Sequence, residues 1–272
     1  MDLHSIQHIL VPTSRSDIPT YIEKDAYLAG GTWLFSEPQP QFTRLVDLTS
    51  LNWPALKITS ASLQISATCK IAELAAFEPP PDWLAGPLII KCCRALLGSF
   101  KIWNVATIGG NLCLSLPAGP MTALASALNG VCVIWRADGT DYTIPAVEFV
   151  TGPQQNALRP GEILRRIDLP VDSLKRHFAF RQISLTHEGR SAALLIGTID
   201  CQNCFTLTIT AATCRPVQLI FPEWPDESTL ARVLASKIPD HLYFDDIHGK
   251  PAWRKHMTGI FAQEISKELA IS

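Results

Sequence analysis

Apolar and polar residues alternate most cleanly in "FTLTITAA", residues 205–212. Phe205, Leu207, Ile209 and Ala211 fall on one face, and Thr206, Thr208 and Thr210 on the other. A period of two predicts a strand. The run before it, "AALLIGTID" at 192–200, predicts a partner strand, with Gln202-Asn203 as a two-residue hairpin turn. A further strand over 177–184 completes a three-stranded antiparallel sheet, followed by helices. The last helix spans 251–269, where Trp253, Met257, Ile260, Phe261 and Ile265 recur at helical spacing as its buried stripe.

The pattern upstream is more broken. Residues 14–25 predict a short helix, "AYLA" at 26–29 a buried strand, and "TRLVDLTSL" at 43–51 another strand. β-branched residues favour strand from Ile58 to Cys69, and "KIAELAAF" at 70–77 favours a helical turn. Asp82 is placed to cap a helix running to Ser99, with Leu84, Leu88, Cys92 and Leu96 as its stripe. A third helix covers Pro120 to Asn129. "VCVIWRADGTDYTI" reads as a hairpin around Asp138-Gly139. One unit ends near "LPVDSLK", 169–175, and a β-then-α unit follows.

Composition narrows the function. The chain has 272 residues, 47 % of them hydrophobic, and a net charge of −2. Such a balance excludes a nucleic-acid protein, which shows a basic excess. "MDLHSIQHIL" lacks the basic and apolar regions of a signal peptide. The longest apolar run, Pro117 to Trp135, is interrupted by Gly119, Pro120 and Asn129, so no membrane insertion is predicted. A cytoplasmic location with reduced thiols is the expectation. The eight cysteines match no zinc or iron–sulfur spacing. Cys201 and Cys204, in "CQNC", flank the predicted turn and read as structural thiols. His177, His187 and His241 read as surface or core residues, and no metal site is expected.

Chemistry concentrates in two glycine pairs, in "YLAGGTWL" at 27–34 and "TIGGNLC" at 107–113. Glycine lets backbone N–H groups approach a ligand, and successive N–H groups facing one point form an anion nest. Two such turns in one pocket can hold both phosphates of a dinucleotide without a lysine or arginine. Thr32, Thr107 and Asn111 stand beside the glycines as side-chain donors. Neither G-x-G-x-x-G nor G-x4-G-K-[ST] occurs, and in "HGKP" Pro251 replaces the hydroxyl residue of a Walker loop.

With these motifs in order, the chain resembles the FAD-binding medium subunit of molybdenum hydroxylases of the xanthine dehydrogenase, aldehyde oxidase and carbon monoxide dehydrogenase type. "LAGGTWL" at 28–34 resembles the family's first pyrophosphate loop and "NVATIGGNLC" at 104–113 its second glycine loop. "LRPGEILRRIDLP" at 158–170 and "AFRQIS" at 179–184 resemble the end of the FAD domain and the start of the C-terminal one. "DIHGKPAWRKHM" at 246–257 resembles the start of the C-terminal helix.

The resemblance implies an α+β protein: a two-subdomain FAD-binding fold of the PCMH type with mixed sheets and helices, then a C-terminal α+β domain. Its domains would be 1–172, divided near 57 and 58, and 173–272. It implies that Ala29, Gly30, Gly31, Thr32, Trp33 and Leu34 wrap the FAD pyrophosphate, with Thr107, Gly110 and Asn111 on the other side. It implies that Leu164 packs on the isoalloxazine ring and that Arg181 lies near the flavin edge. No catalytic acid, base or nucleophile is expected on this chain.

The resemblance also implies partners. A large subunit would carry molybdopterin and hydroxylate the substrate with water, and a small subunit would carry two [2Fe–2S] clusters. Electrons would reach FAD and then NAD+, oxygen or a quinone, in a heterotrimeric unit. An FAD-poor structural or assembly subunit and a free-standing flavin reductase are the alternatives. Two departures stand out. Gly119 and Pro120 occupy the place where the family carries an aspartate beside the cofactor, and Trp33 is bulkier than the usual first-loop residue. The missing carboxylate predicts weaker FAD retention.

Overall fold

The structure, a computed structural model, describes residues 4–271. Its first strands, β1 (His8–Leu10), β2 (Asp25–Leu28) and β3 (Arg44–Asp47), form a parallel sheet in the order β1-β3-β2. Leu45 and Val46 of the central strand, on opposite faces of the sheet, are both buried.

Next come β4 (Leu56–Ile58), β5 (Ser62–Ser66) and α1 (Ile71–Ala75). Helices α2 (Pro87–Ala95), α3 (Phe100–Trp103), α4 (Ile108–Leu114) and α5 (Pro120–Ala127) follow. The chain then forms β6 (Val131–Trp135), β7 (Asp141–Pro145), α6 (Ala146–Phe149), β8 (Val150–Gly152), β9 (Gln155–Asn156) and β10 (Ile163–Pro170). Antiparallel pairing builds a five-stranded sheet, β4-β5-β10-β6-β7. α2 starts at Pro87, later than Asp82 predicts. Ala85 N donates to Leu174 O at 2.9 Å, which ties the preceding turn to α7 (Val171–Leu174). Leu84 is accordingly exposed rather than part of the helical stripe.

The C-terminal unit holds β11 (His177–Ile183), β12 (Ala193–Ile199), β13 (Phe205–Thr210), β14 (Val217–Phe221), α8 (Glu227–Lys237) and α9 (Pro251–Leu269). Its antiparallel sheet has four strands, β11-β12-β13-β14, where three were predicted. The β12–β13 turn is also longer than the predicted two residues. Ile199 pairs with Phe205, and Asp200 Oδ1 accepts from the N–H groups of Gln202 and Cys204 at 2.9 Å. Both cysteines therefore lie within the turn.

The faces of this sheet pack on different layers. Leu195, Phe205, Leu207 and Ile209 form a core with Phe261, Ala262, Ile265 and Leu269 of α9. The helix therefore buries a stripe centred one position away from the predicted one, with Met257 and Ile260 at its margin. Leu194, Ile196 and Ala211 instead join the core of the five-stranded sheet through α5, whose residues are all buried. Gly197 sits under α9, where a methyl group would lie 2.3 Å from Ile265 Cγ2.

Candidate functional site

A cleft of about 850 Å³ runs between the parallel sheet, the loops flanking α4 and the β11–β12 hairpin. That volume falls in the range of about 300–1,000 Å³ typical of cofactor and ligand sites. Residues 29–34, Thr107, Gly110 and Asn111 all line it. The structure thus brings both glycine loops to one cavity. Leu164 and Arg181 are elsewhere. Leu164 is 3 % exposed and belongs to the core under the five-stranded sheet. Arg181 donates at 2.7 Å to both Glu264 and Glu268 of α9.

The first loop leaves β2 at Leu28. Gly31 adopts φ 68°, a left-handed conformation that suits glycine. Gly30 is needed for a different reason: a methyl group there would lie 2.2 Å from the carbonyl oxygen of Val105. The loop thus packs backbone to backbone against the approach to the second loop. Its own N–H groups stay uncommitted. Among the described residues, none of the backbone N–H groups of Gly30 through Leu34 donates to a protein acceptor, whereas Phe35 N closes the turn on Gly31 O at 2.8 Å. A row of successive unpaired amides along a cleft is an anion-binding surface.

The second loop behaves differently. Ile108 N donates to Cys69 O and Gly109 N to Ala67 O, both at 3.0 Å, so the loop docks beside the end of β5. A methyl group on Gly109 would lie 2.5 Å from Ala67 O. Thr107 caps α4 by accepting from Gly110 N at 3.0 Å, and Asn111 N donates to Thr107 O. Asn111 Oδ1 accepts from Met121 N at 3.1 Å and so caps α5. The amides of this loop are spent on holding the wall in place. Gly110 lines the cleft without such close packing: a methyl group there would meet only Thr107 Oγ1, at 3.0 Å.

Sequence reasoning missed several cleft residues. Tyr21 lines it from the loop before β2, Asp25 and Tyr27 from β2 itself, Leu158 to Glu162 from the segment before β10, and Arg190 and Ser191 from the β11–β12 hairpin. The "LRPGE" motif was visible in the sequence; its return to the cleft was not. Asp25, 5 % exposed, accepts from Arg44 through both carboxylate oxygens at 2.5 and 2.6 Å. Burial alone would raise its pKa, but the Arg44 fork and Ile22 N–H overcome that and hold it below the usual value. Burial, then Asp25 and Tyr21, push Tyr27 up to about 12, so its hydroxyl stays protonated and donates to Gly161 O at 3.3 Å. Burial likewise pushes the thiol of Cys113, another lining residue, up to about 12. Neither group supplies a nucleophile or base at neutral pH.

Arg159 and Arg190 are the cations of the cleft, and neither forms an ion pair within the chain among the described residues. Unpaired amides, two unpaired arginines and an apolar lining from Leu34, Leu96, Ile102 and Phe42 suit a long ligand with an anionic centre and planar aromatic ends.

Comparison with known proteins agrees with that chemistry. "Caffeine dehydrogenase subunit beta" of Pseudomonas sp. (strain CBB1) is 35 % identical over 103 residues, covering 37 % of this chain and 35 % of the relative. "Carbon monoxide dehydrogenase medium chain" of Afipia carboxidovorans is 28 % identical over 131 residues, covering 47 % of this chain and 45 % of that one. The chain thus spans less than half the length of these relatives. Two solved structures share the fold over 98 % of both chains at 20 % identity: a reconstituted CO dehydrogenase from Oligotropha carboxidovorans, TM-score 0.81, and quinoline 2-oxidoreductase from Pseudomonas putida 86, TM-score 0.79. Residues 7–172, a span that contains both glycine loops and the Leu158–Glu162 segment, match the family described as "FAD binding domain in molybdopterin dehydrogenase", and the chain belongs to that family.

Proposed function

We propose that this chain is the FAD-carrying electron-transfer subunit of a multi-subunit molybdenum hydroxylase. It receives electrons from a [2Fe–2S] chain and passes them to an external acceptor. The observation that carries this reading is the row of uncommitted amides from Gly30 to Leu34 along an 850 Å³ cleft. Those amides would hold the pyrophosphate, with Arg159 and Arg190 compensating its charge. The apolar lining would exclude water from the ring systems. When bound, FAD supplies the ability to accept an electron pair and to return it singly or together.

The protein's part is position and electrostatics. Thr107 and Asn111 fix the second wall by capping two helices, and Gly30 fixes the first wall against it. The proposed acceptors are NAD+, oxygen or a quinone. The molybdopterin chain would hold the substrate, so no substrate is assigned to this cleft. No described helix is long and apolar enough to cross a membrane. A cytoplasmic heterotrimeric assembly fits the reading.

The test is FAD content by visible absorbance of the complex purified from its host. One FAD per chain is expected. Gly30→Val should abolish it, while far-UV circular dichroism stays unchanged. Full FAD content in that variant would refute the loop assignment.

A further inference from the structure

The segment between α2 and Thr107 leaves large apolar side chains in water. Leu97 is 44 % exposed, Phe100 72 %, Ile102 39 % and Val105 45 %. α3, in the middle of this segment, buries none of its residues. The segment is nevertheless fixed: Trp103 Nε1 donates to Leu96 O at 3.2 Å, and Ala106 N donates to Ile102 O at 2.7 Å. Neighbouring exposed apolar side chains on an ordered segment mark an interaction site.

Two further features place and charge this surface. Leu97 and Ile102 also line the cleft, and Val105 O faces Gly30, so the apolar segment is the rim of the cleft. Lys101 on α3, and Lys91 and Arg94 on the preceding α2, are exposed and enter no ion pair among the described residues. Between Asp82 and Asp138 the sequence has no carboxylate at all, in a chain of net charge −2. The rim is therefore apolar, and the charges on it and on the helix that leads into it are all positive.

We propose that Leu97–Val105 is the docking face for the chain that supplies electrons to this cleft, a partner whose matching face is apolar and acidic. The inference rests on the FAD reading above. A partner seated on the rim would bring its redox centre beside the cleft without intervening protein. Charge argues against a second copy of this chain, whose rim would bring like charges together. The four residues of α3 argue against a lipid surface, which is bound through longer amphipathic helices.

The test is made on the complex purified from its host through a tag on this chain. A photo-crosslinking benzoylphenylalanine at Phe100 should link to the chain that carries the iron–sulfur clusters, identified by mass spectrometry. Phe100→Glu and Lys101→Glu should each cut co-purified iron ~10-fold or more, as loss of an interface hot spot does. FAD per chain should stay constant, since Phe100 is 72 % exposed and does not line the cleft. Crosslinks to a second copy, to the molybdenum chain or to lipid would overturn the proposal, as would wild-type iron content in both variants. Absence of FAD from the wild-type complex would overturn the underlying reading as well. Normal FAD without the crosslink overturns the docking face alone.

Discussion

Arg254 donates to the carbonyl oxygen of Ala211 at 2.6 Å, from a site where the arginine is only 1 % exposed. The same Nη1 reaches Ala192 O at 2.6 Å, Nε reaches Gly249 O at 2.9 Å, and Nη2 pairs with Asp246. Two of the three carbonyl contacts lead to the cleft. Ala192 follows Ser191, a lining residue, and Ala211 N donates to Pro117 O between lining residues Leu116 and Ala118. Ala211 is held at φ 63°, a conformation that costs an L-residue about 1–2 kcal/mol.

Replacing Arg254 with methionine should therefore loosen the cleft wall from inside the C-terminal unit. The change strands Asp246 and several buried carbonyls. The expected loss is about 3 kcal/mol, typical of breaking a buried pair, read from urea denaturation. Arg254→Lys should recover only part of it, because an ammonium cannot reproduce the planar fork. Equal stability of wild type and methionine variant would refute the role.

Gly30 and Gly259 make a paired prediction. A methyl group on Gly30 would collide with Val105 O, whereas Gly259, within α9, has nothing within 4 Å of its added methyl. Gly30→Ala should destabilise by about 1–3 kcal/mol, as overpacking does. Gly259→Ala should stabilise by about 0.5–1 kcal/mol through helix propensity. Thermal unfolding of both variants checks the signs.

How much of this was legible in the sequence differs element by element. "FTLTITAA" announced β13 because its alternation is complete. "VQLIF" at 217–221 was missed, because Pro216 and exposed Ile220 blur a short edge strand. Both glycine loops were legible as chemistry, since glycine beside a hydroxyl has a local meaning. Their division of labour was not: it depends on Ala67 and Cys69 accepting the second loop's amides across the chain. Arg181 illustrates the same limit. Its partners Glu264 and Glu268 come from the last helix, and no local pattern around "AFRQIS" reveals them.

Acid should weaken the fold through Asp25. Its folded pKa is depressed by the Arg44 fork, against the effect of burial. A depressed carboxylate contributes stability that is fully present above its unfolded pKa, near 3.9, and is lost as pH falls through the lower folded value. Denaturation midpoints should thus fall on titration below about pH 4. Asp25→Asn should cost about 3 kcal/mol at pH 7, because it leaves Arg44 without its carboxylate, and should flatten the acid limb. Asp25 lines the cleft, so FAD release should follow the same limb in the wild type. An unchanged acid limb in the variant would show that other carboxylates dominate.

Pro120 lines the cleft as the first residue of α5, next to Gly119, at the place where the family resemblance implies an acid. With Gly119 and Pro120 lining this end of the cleft, neither position supplies a carboxylate to accept from a ligand's hydroxyl or ring N–H. A charge-assisted bond of that kind is worth about 1.5–3 kcal/mol, on the order of tenfold to a hundredfold in affinity. The chain alone should lose part of its FAD on gel filtration, while the amides of Gly30 to Leu34 keep most of the binding. Pro120→Asp should tighten binding, and a carboxylate in the first turn of α5 also suits the helix dipole. Loss of the proline ring, pre-set for that position, opposes the gain. Calorimetric titration of the apo-protein with FAD separates the outcomes. A wild-type dissociation constant in the low nanomolar range, unchanged by the substitution, would show that the amides and arginines already supply the missing affinity.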